Sequence, residues 1–209
     1  MTCWAVETVI SSLRIVMNIP PSLEPETLPL TVRHFQTLVR GGAFEDQSGQ
    51  IELIHGRIVR MNPHGPEHSD PIDEIQDWSY EHAGQLFRIR IEKPIEIAEQ
   101  NSCPEPDIAW VRRDRYRNCH PQPRDVRLLI EVSYSSGEFD QAEKLELYAE
   151  AEIAEYWRVD IPTESVTVCR DPLRRTYRSI VTHQRDATIS PECLSTAKLA
   201  IARLFPPQG

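Results

Sequence analysis

The 209-residue chain has no apolar run approaching the ~20 residues of a membrane-spanning helix. No span is therefore expected. Its opening stretch, residues 1–19, is moderately apolar but lacks a basic leading region, so it does not read as a secretory signal. Cysteine is scarce and scattered: Cys3, Cys103, Cys119, Cys169 and Cys193 are odd in number, and no two have CxxC spacing. That argues against a disulfide framework and a zinc site, and makes a reducing cytoplasm the expected setting. Positive charge is also short. Lys and Arg total 23 against 32 Asp and Glu, a formal net charge of −9, which argues against a broad nucleic-acid surface. There is no internal repeat and no low-complexity tract.

What is present is an ordinary globular composition, 40% hydrophobic and 26% charged, long enough to bury one sizeable core. Residues 1–27, rich in proline beyond Ile19, read as a loose N-terminal arm. Residues 28–205 read as a single domain, and 206–209 as a tail. The charge is uneven. Residues 112–127 carry six arginines against Asp114 and Asp125, and residues 138–160 carry eight acids against Lys144 and Arg158.

The most informative stretch is Leu128 to Asp160. The apolar run Leu128-Leu129-Ile130 continues through Glu131 to Val132, the pattern of a strand buried on both faces. An ionised carboxylate there needs compensation. Ser135-Ser136-Gly137 breaks the strand. A helix follows, with Asp140 as the N-cap and Glu143 at capping-box spacing, and with Ala142, Leu145, Tyr148 and Ala149 as its inward stripe. Lys144 lies at the edge of that stripe. A second apolar strand, Tyr156 to Val159, closes a βαβ unit with parallel strands.

The remaining chain divides readily. Thr31 offers an N-cap to a helix with Val32, Phe35, Leu38 and Val39 inward, stopped by Gly41-Gly42. Residues 51–61 read as a hairpin around His55-Gly56, with Glu52 on its first strand. A helix is expected from about Pro71, with Ile72, Ile75, Trp78 and Tyr80 inward. Phe87 to Ile97 alternates as a half-buried strand, with Pro94 marking a bend or an edge. Residues 106–111 form another strand with Asp107 at its entry. Further strands are expected at Val166–Cys169 and Tyr177–Val181, and residues 194–205 fit either a helix or a strand. Trp110 and Trp157 read as core. His64 and His68 read as loop residues, because Pro66 lies between them.

Four side chains carry chemistry: Glu52, Asp107, Glu131 and Lys144. Asp107 and Glu131 stand on consecutive strands, and paired strands lie ~4.8 Å apart. Two carboxylates so placed repel unless a cation sits between them. A hard divalent metal, Mg²⁺ or Mn²⁺, fits, with Asp107 and Glu131 as ligands and Glu52 as a further ligand or water holder. Lys144 would set a compact positive charge near a scissile phosphate.

Pro106-Asp107, then Glu131-Val132-Ser133, then a lysine on the next helix resembles the PD-(D/E)XK nuclease superfamily. Ser133 occupies the usual lysine position, and Lys144 fits a known migration of that lysine to the following helix. The chain more closely resembles the Uma-type restriction endonuclease family. The pieces that carry this are Glu52 to Ile58, Gly65-Pro66-Glu67-His68, Pro104 to Asp107, Leu129 to Val132, Asp140 with Lys144 and Tyr148, and Glu155-Tyr156-Trp157, spanning about residues 28–205. His55 stands where that family usually has an acid, and Ser69-Asp70-Pro71 interrupts a usually apolar helix start. The resemblance implies an α/β fold with a central mixed sheet flanked by helices, and Mg²⁺-dependent hydrolysis of DNA phosphodiesters. It assigns the site to Glu52, Asp107, Glu131 and Lys144. DNA is the expected partner, and a homodimer is compatible with the resemblance. Two other readings stand beside it. One is an inactive descendant serving as a binding or regulatory module. The other is an acidic interaction domain, which scattered positions of the four side chains would favour.

Overall fold

The structure, a computed structural model, describes residues 28–61, 65–134 and 138–205. The N-terminal arm, His64, the Ser135–Gly137 break and the tail lie outside the described residues.

Helix α1 (Val32–Arg40) starts at Thr31, whose hydroxyl accepts the His34 N–H at 3.2 Å while the His34 ring accepts the Thr31 N–H. Val32 and Phe35 are buried, but Leu38 and Val39 are exposed. The inward stripe therefore ends earlier than the spacing predicts, because α1 covers only a small cluster with Leu53 and Cys103. Strands β1 (Ile51–Ile54) and β2 (Arg57–Arg60) form the expected hairpin. His55 and Gly56 both take positive φ, 47° and 74°, as a two-residue hairpin turn requires.

Helix α2 (Pro66–Ala83) begins five residues before the expected start at Pro71. Pro66 sits in the first turn, where its missing N–H costs nothing. Pro71 falls inside the helix and loses one hydrogen bond, yet it is buried among core-facing residues. His68 is consequently helical. Tyr80, expected inward, is 54% exposed, while Ile72, Ile75 and Trp78 are buried.

A six-stranded sheet follows: β3 (Phe87–Ile91), β4 (Ile108–Arg112), β5 (Val126–Ser133), β6 (Glu155–Asp160), β7 (Ser165–Leu173) and β8 (Thr176–Gln184), side by side in that order. Only β5 and β6 run parallel, joined over helix α3 (Glu138–Glu150) as the βαβ pattern predicts. The other pairs are antiparallel, so the sheet is mixed. Strand β3 ends at Ile91 and not at Ile97, because Glu92 turns the chain with φ 46°. It is an edge strand. The C-terminal residues form neither a long helix nor a long strand: β9 (Thr188–Ile189) pairs with β10 (Leu199–Ala200), and a short 3-10 turn, Ile201–Leu204, follows.

Alternation along the strands divides the core in two. Trp110, Leu128, Ile130, Trp157 and Val159 pack against Ile75 and Trp78 of α2, with Trp78 ring centroids 5.1 Å from Trp110 and 5.8 Å from Trp157. Ala109, Leu129, Tyr156 and Cys169 face the other way, toward Leu147, Tyr148 and Ala151 of α3. The helix is turned by about one residue from the expected stripe. Ala142 is exposed, and Lys144, Leu147 and Tyr148 are buried. Asp140 lies inside α3 and is not its N-cap.

Candidate active site

Antiparallel β4 and β5 pair Ile108 with Ile130 and Ala109 with Leu129. Continued by one residue, that register brings Asp107 opposite Glu131. Glu131 follows Leu129 on the α3 side of the sheet, and α3 presents Lys144 and Tyr148 to it. The Lys144 Nζ lies 3.2 Å from Glu131 Oε1 and 3.3 Å from Glu52 Oε1. Tyr148 donates its hydroxyl to Glu131 Oε1 at 2.6 Å.

Glu52 arrives from the separate hairpin. Leu53 exchanges backbone hydrogen bonds with Cys103, and Gly56 donates to Asn101. Strand alternation then sends Leu53 into the small cluster and Glu52, like Ile54, toward α3. Glu52 Oε1 also accepts the Glu105 N–H at 3.0 Å. Its Oε2 is buried without a hydrogen-bond partner.

Asp107 precedes β4 and is not bound by strand alternation. Its Oδ2 accepts the Val132 N–H at 2.6 Å and lies 3.9 Å from His68 Nε2. His68 Nε2 donates to the Val132 carbonyl at 2.8 Å. Both backbone groups of Val132, beyond the reach of β4, are thus taken by side chains.

All four predicted residues are buried, each under 10% exposed, and they meet around the C-terminal end of β5. The scattered arrangement that would favour a plain interaction domain is absent from this set. Burial, and then the Glu131 charge, push the Asp107 carboxyl well above its ordinary range, against the downward pull of the Val132 N–H and Lys144. Burial also pushes Glu52 up to about 7, although Lys144 acts against it. A carboxylate cluster with too little positive charge shows this pattern.

The donor set consists of carboxylate oxygens alone, which suits a hard divalent cation. Among the described residues, no three His, Cys, Asp or Glu side chains are gathered closely enough to hold a metal ion as they stand. Mg²⁺ needs no such cage, since it is typically bound through one or two carboxylates and completed by water and phosphate. Asp107 and Glu131 fit that pattern, with the unpartnered Glu52 Oε2 as a further acceptor.

Two contributors are less legible in the sequence. Tyr148 reads from spacing as core, yet its hydroxyl is bonded to Glu131; its place beside Lys144 in the family resemblance is the available signal. His68 reads as a loop residue that, from its place in the family pattern, positions a phosphate or a carboxylate or makes a structural hydrogen bond; it lies in α2 and not in a loop.

A family model described as "Putative restriction endonuclease" matches residues 33–202. The chain belongs to this family, Uma2. Its fold is shared with a crystal structure from Anabaena variabilis ATCC 29413, described as a putative nuclease. That structure has a TM-score of 0.65 and 17% identity, over 85% of this chain and 98% of the other. No curated protein matches the chain. The family supports a nuclease-type function, and the crystal structure supports the fold. The Uma2 match spans β1 through β10, so every element that supplies a site residue falls inside it. Among the described residues, no helix is long and apolar enough to cross a membrane.

Proposed function

We propose that this Uma2 member is a Mg²⁺-dependent endonuclease that hydrolyses phosphodiester bonds of DNA. The observation that carries the reading is the meeting of Glu52, Asp107 and Glu131 with Lys144 at the end of β5, in a chain of a restriction endonuclease family. Asp107 and Glu131 would hold the ion, and Glu52 would bind it or one of its waters. The bound ion would polarise a phosphoryl oxygen and lower the pKa of its water. Lys144, held between two carboxylates, keeps a fixed positive charge where the phosphoryl oxygens gain negative charge and orients the attacking water. The water oxygen would bond to phosphorus as the bond to the leaving deoxyribose oxygen breaks; the water's proton would pass to a carboxylate of the site, and the leaving oxygen would take up a proton from solvent. Tyr148 keeps Glu131 in place. His68, bonded to the Val132 carbonyl, braces the strand end beside Asp107.

The test is Asp107→Asn. The amide oxygen can still accept the Val132 N–H, so the fold keeps that bond. In EDTA the wild type carries a carboxyl whose ionisation is disfavoured by its surroundings, and the variant should be as stable or more so. Millimolar Mg²⁺ should raise the wild-type Tm by mass action, because the ion binds only the folded site. The variant should lose most of that rise, together with plasmid cleavage. A large loss of stability in EDTA, with the Mg²⁺ effect intact, would make Asp107 a structural acid; breaking a buried ion pair typically costs ~3–5 kcal/mol.

A further inference from the structure

Beside Glu131 the sheet carries a cation that the cluster of three carboxylates and Lys144 does not use. Parallel β5 and β6 pair Glu131 with Arg158, and antiparallel β6 and β7 pair Arg158 with Thr167. Register partners share a face, so Arg158 projects on the α3 side, one strand over from Glu131. Neighbouring strands are ~4.8 Å apart. Glu131 does not pair with it, because Lys144 and Tyr148 draw the Glu131 Oε1 toward α3. Arg158 is half-buried, its Nε is buried without a hydrogen-bond partner, and among the described residues it makes no ion pair.

Several other cations find their counter-charge within the chain, whereas Arg158, like Arg90, has a buried Nε with no partner among the described residues. Arg170 is bonded to Glu155, Arg185 to Glu164, Arg112 to Asp125 and Lys144 to Glu52 and Glu131. Only the Arg158 Nε is buried; the two terminal nitrogens are neither buried nor bonded to a described residue, so they stand open to an anion. A bound anion would supply the counter-charge that the described residues do not. Arg presents a planar fork of donors that matches a phosphate group. The arginine-rich loop 112–127 does not serve this place. It joins the far ends of β4 and β5, and five residues of strand separate Asp107 from Arg112, roughly 17 Å at ~3.4 Å per residue.

We propose that Arg158 is an anion-holding residue of this site and takes a phosphate group of the nucleic-acid backbone next to Glu131, an inference that rests on the nuclease reading above. The Glu131–Arg158 pair then has a division of roles. Glu131 faces the ion and the scissile group, and Arg158 grips a phosphate alongside and sets the position of the strand.

The experiment compares the wild type with Arg158→Gln in EDTA, where no cleavage occurs. A short fluorescent duplex is titrated over a salt series, and thermal melts are run in inorganic phosphate against chloride of equal ionic strength. Arg158→Gln should bind the duplex more weakly, with a log–log salt slope smaller by about 0.9, the loss of one phosphate contact. Phosphate should raise the wild-type Tm more than that of the variant, and without phosphate the variant should melt no lower than the wild type. A wild type that binds DNA with the same slope and affinity as Arg158→Gln overturns the inference and leaves the nuclease reading standing. A variant that melts well below the wild type in chloride overturns it too, since that marks a structural arginine. If the wild type binds no nucleic acid, the nuclease reading fails. A phosphate-dependent Tm rise lost in Arg158→Gln would then still support the anion site, with free phosphate as its source, and no rise in the wild type would end both.

Discussion

Glu52 is buried on a hairpin outside the main sheet, with one oxygen bonded to Lys144 and the Glu105 N–H and the other unpartnered. Burial, and secondarily Glu131, raise its carboxyl from 4.5 to about 7, with Lys144 opposing. Between those values the folded protein holds a proton that the unfolded chain has released. Metal-free stability contributed by this group is therefore complete below about pH 4.5 and is lost as pH rises through about 7. The size is on the order of 3 kcal/mol, at ~1.4 kcal/mol per pKa unit. Glu52→Gln, neutral throughout, should flatten that part of the profile. Urea denaturation in EDTA across this range measures it, and a wild-type stability that does not fall would show that Lys144 compensates Glu52 fully.

The elements place these residues by different means. The β4–β5 register sets Asp107 against Glu131, whereas the hairpin is held by its own turn and by the bridge to Cys103. At Gly56, φ is 74°, and an added Cβ would lie 2.5 Å from Pro29 Cβ. Gly56→Ala should therefore destabilise the protein by about 1–3 kcal/mol through backbone strain and this contact. Because the hairpin carries Glu52, the same change should also weaken Mg²⁺ stabilisation. Thermal melts with and without Mg²⁺ separate the two effects. A variant as stable as the wild type would mean that the hairpin can shift away from Pro29. Helix α3 shows how a small rotation matters. Spacing alone puts Lys144 at the edge of the apolar stripe. The packed helix buries it, because two carboxylates below supply what an ammonium needs and Ala142 offers little area in exchange.

Across the whole molecule the site and the arginine-rich loop occupy opposite ends of β4 and β5. Within that loop Arg112 is paired with Asp125, and Arg113 donates to the Gly84 and Gln85 carbonyls at the end of α2. Arg115 and Arg117 are exposed. With Arg124, also exposed, they are the loop arginines open to a duplex long enough to extend from the site. Replacing both with Ala should reduce the log–log salt slope of binding by up to about 1.8, at ~0.9 per contact, while leaving Mg²⁺ stabilisation unchanged. An unaltered slope would assign the loop to solvent. Arg113 is unsuited to this test, since its loss would also uncap α2.

Much of this architecture is legible in the amino-acid sequence alone. The βαβ unit, the hairpin, the strand beginning at Phe87 and the core tryptophans follow from local periodicity and turn chemistry, which act over a few residues. The four candidate residues stand out in the sequence because carboxylates and a lysine within apolar elements need partners, and because their order resembles a nuclease family. Tertiary structure decides the rest. The start of α2 is hidden, since proline inside a helix is unfavourable locally and tolerated only when packing on Trp110 and Trp157 holds the helix together. The rotation of α3, the role of Tyr148 and the position of His68 depend on residues distant in the chain. So does the isolation of Arg158: the sequence shows an arginine in an acidic stretch, but only the register of β5, β6 and β7 places it beside Glu131 without a counter-charge.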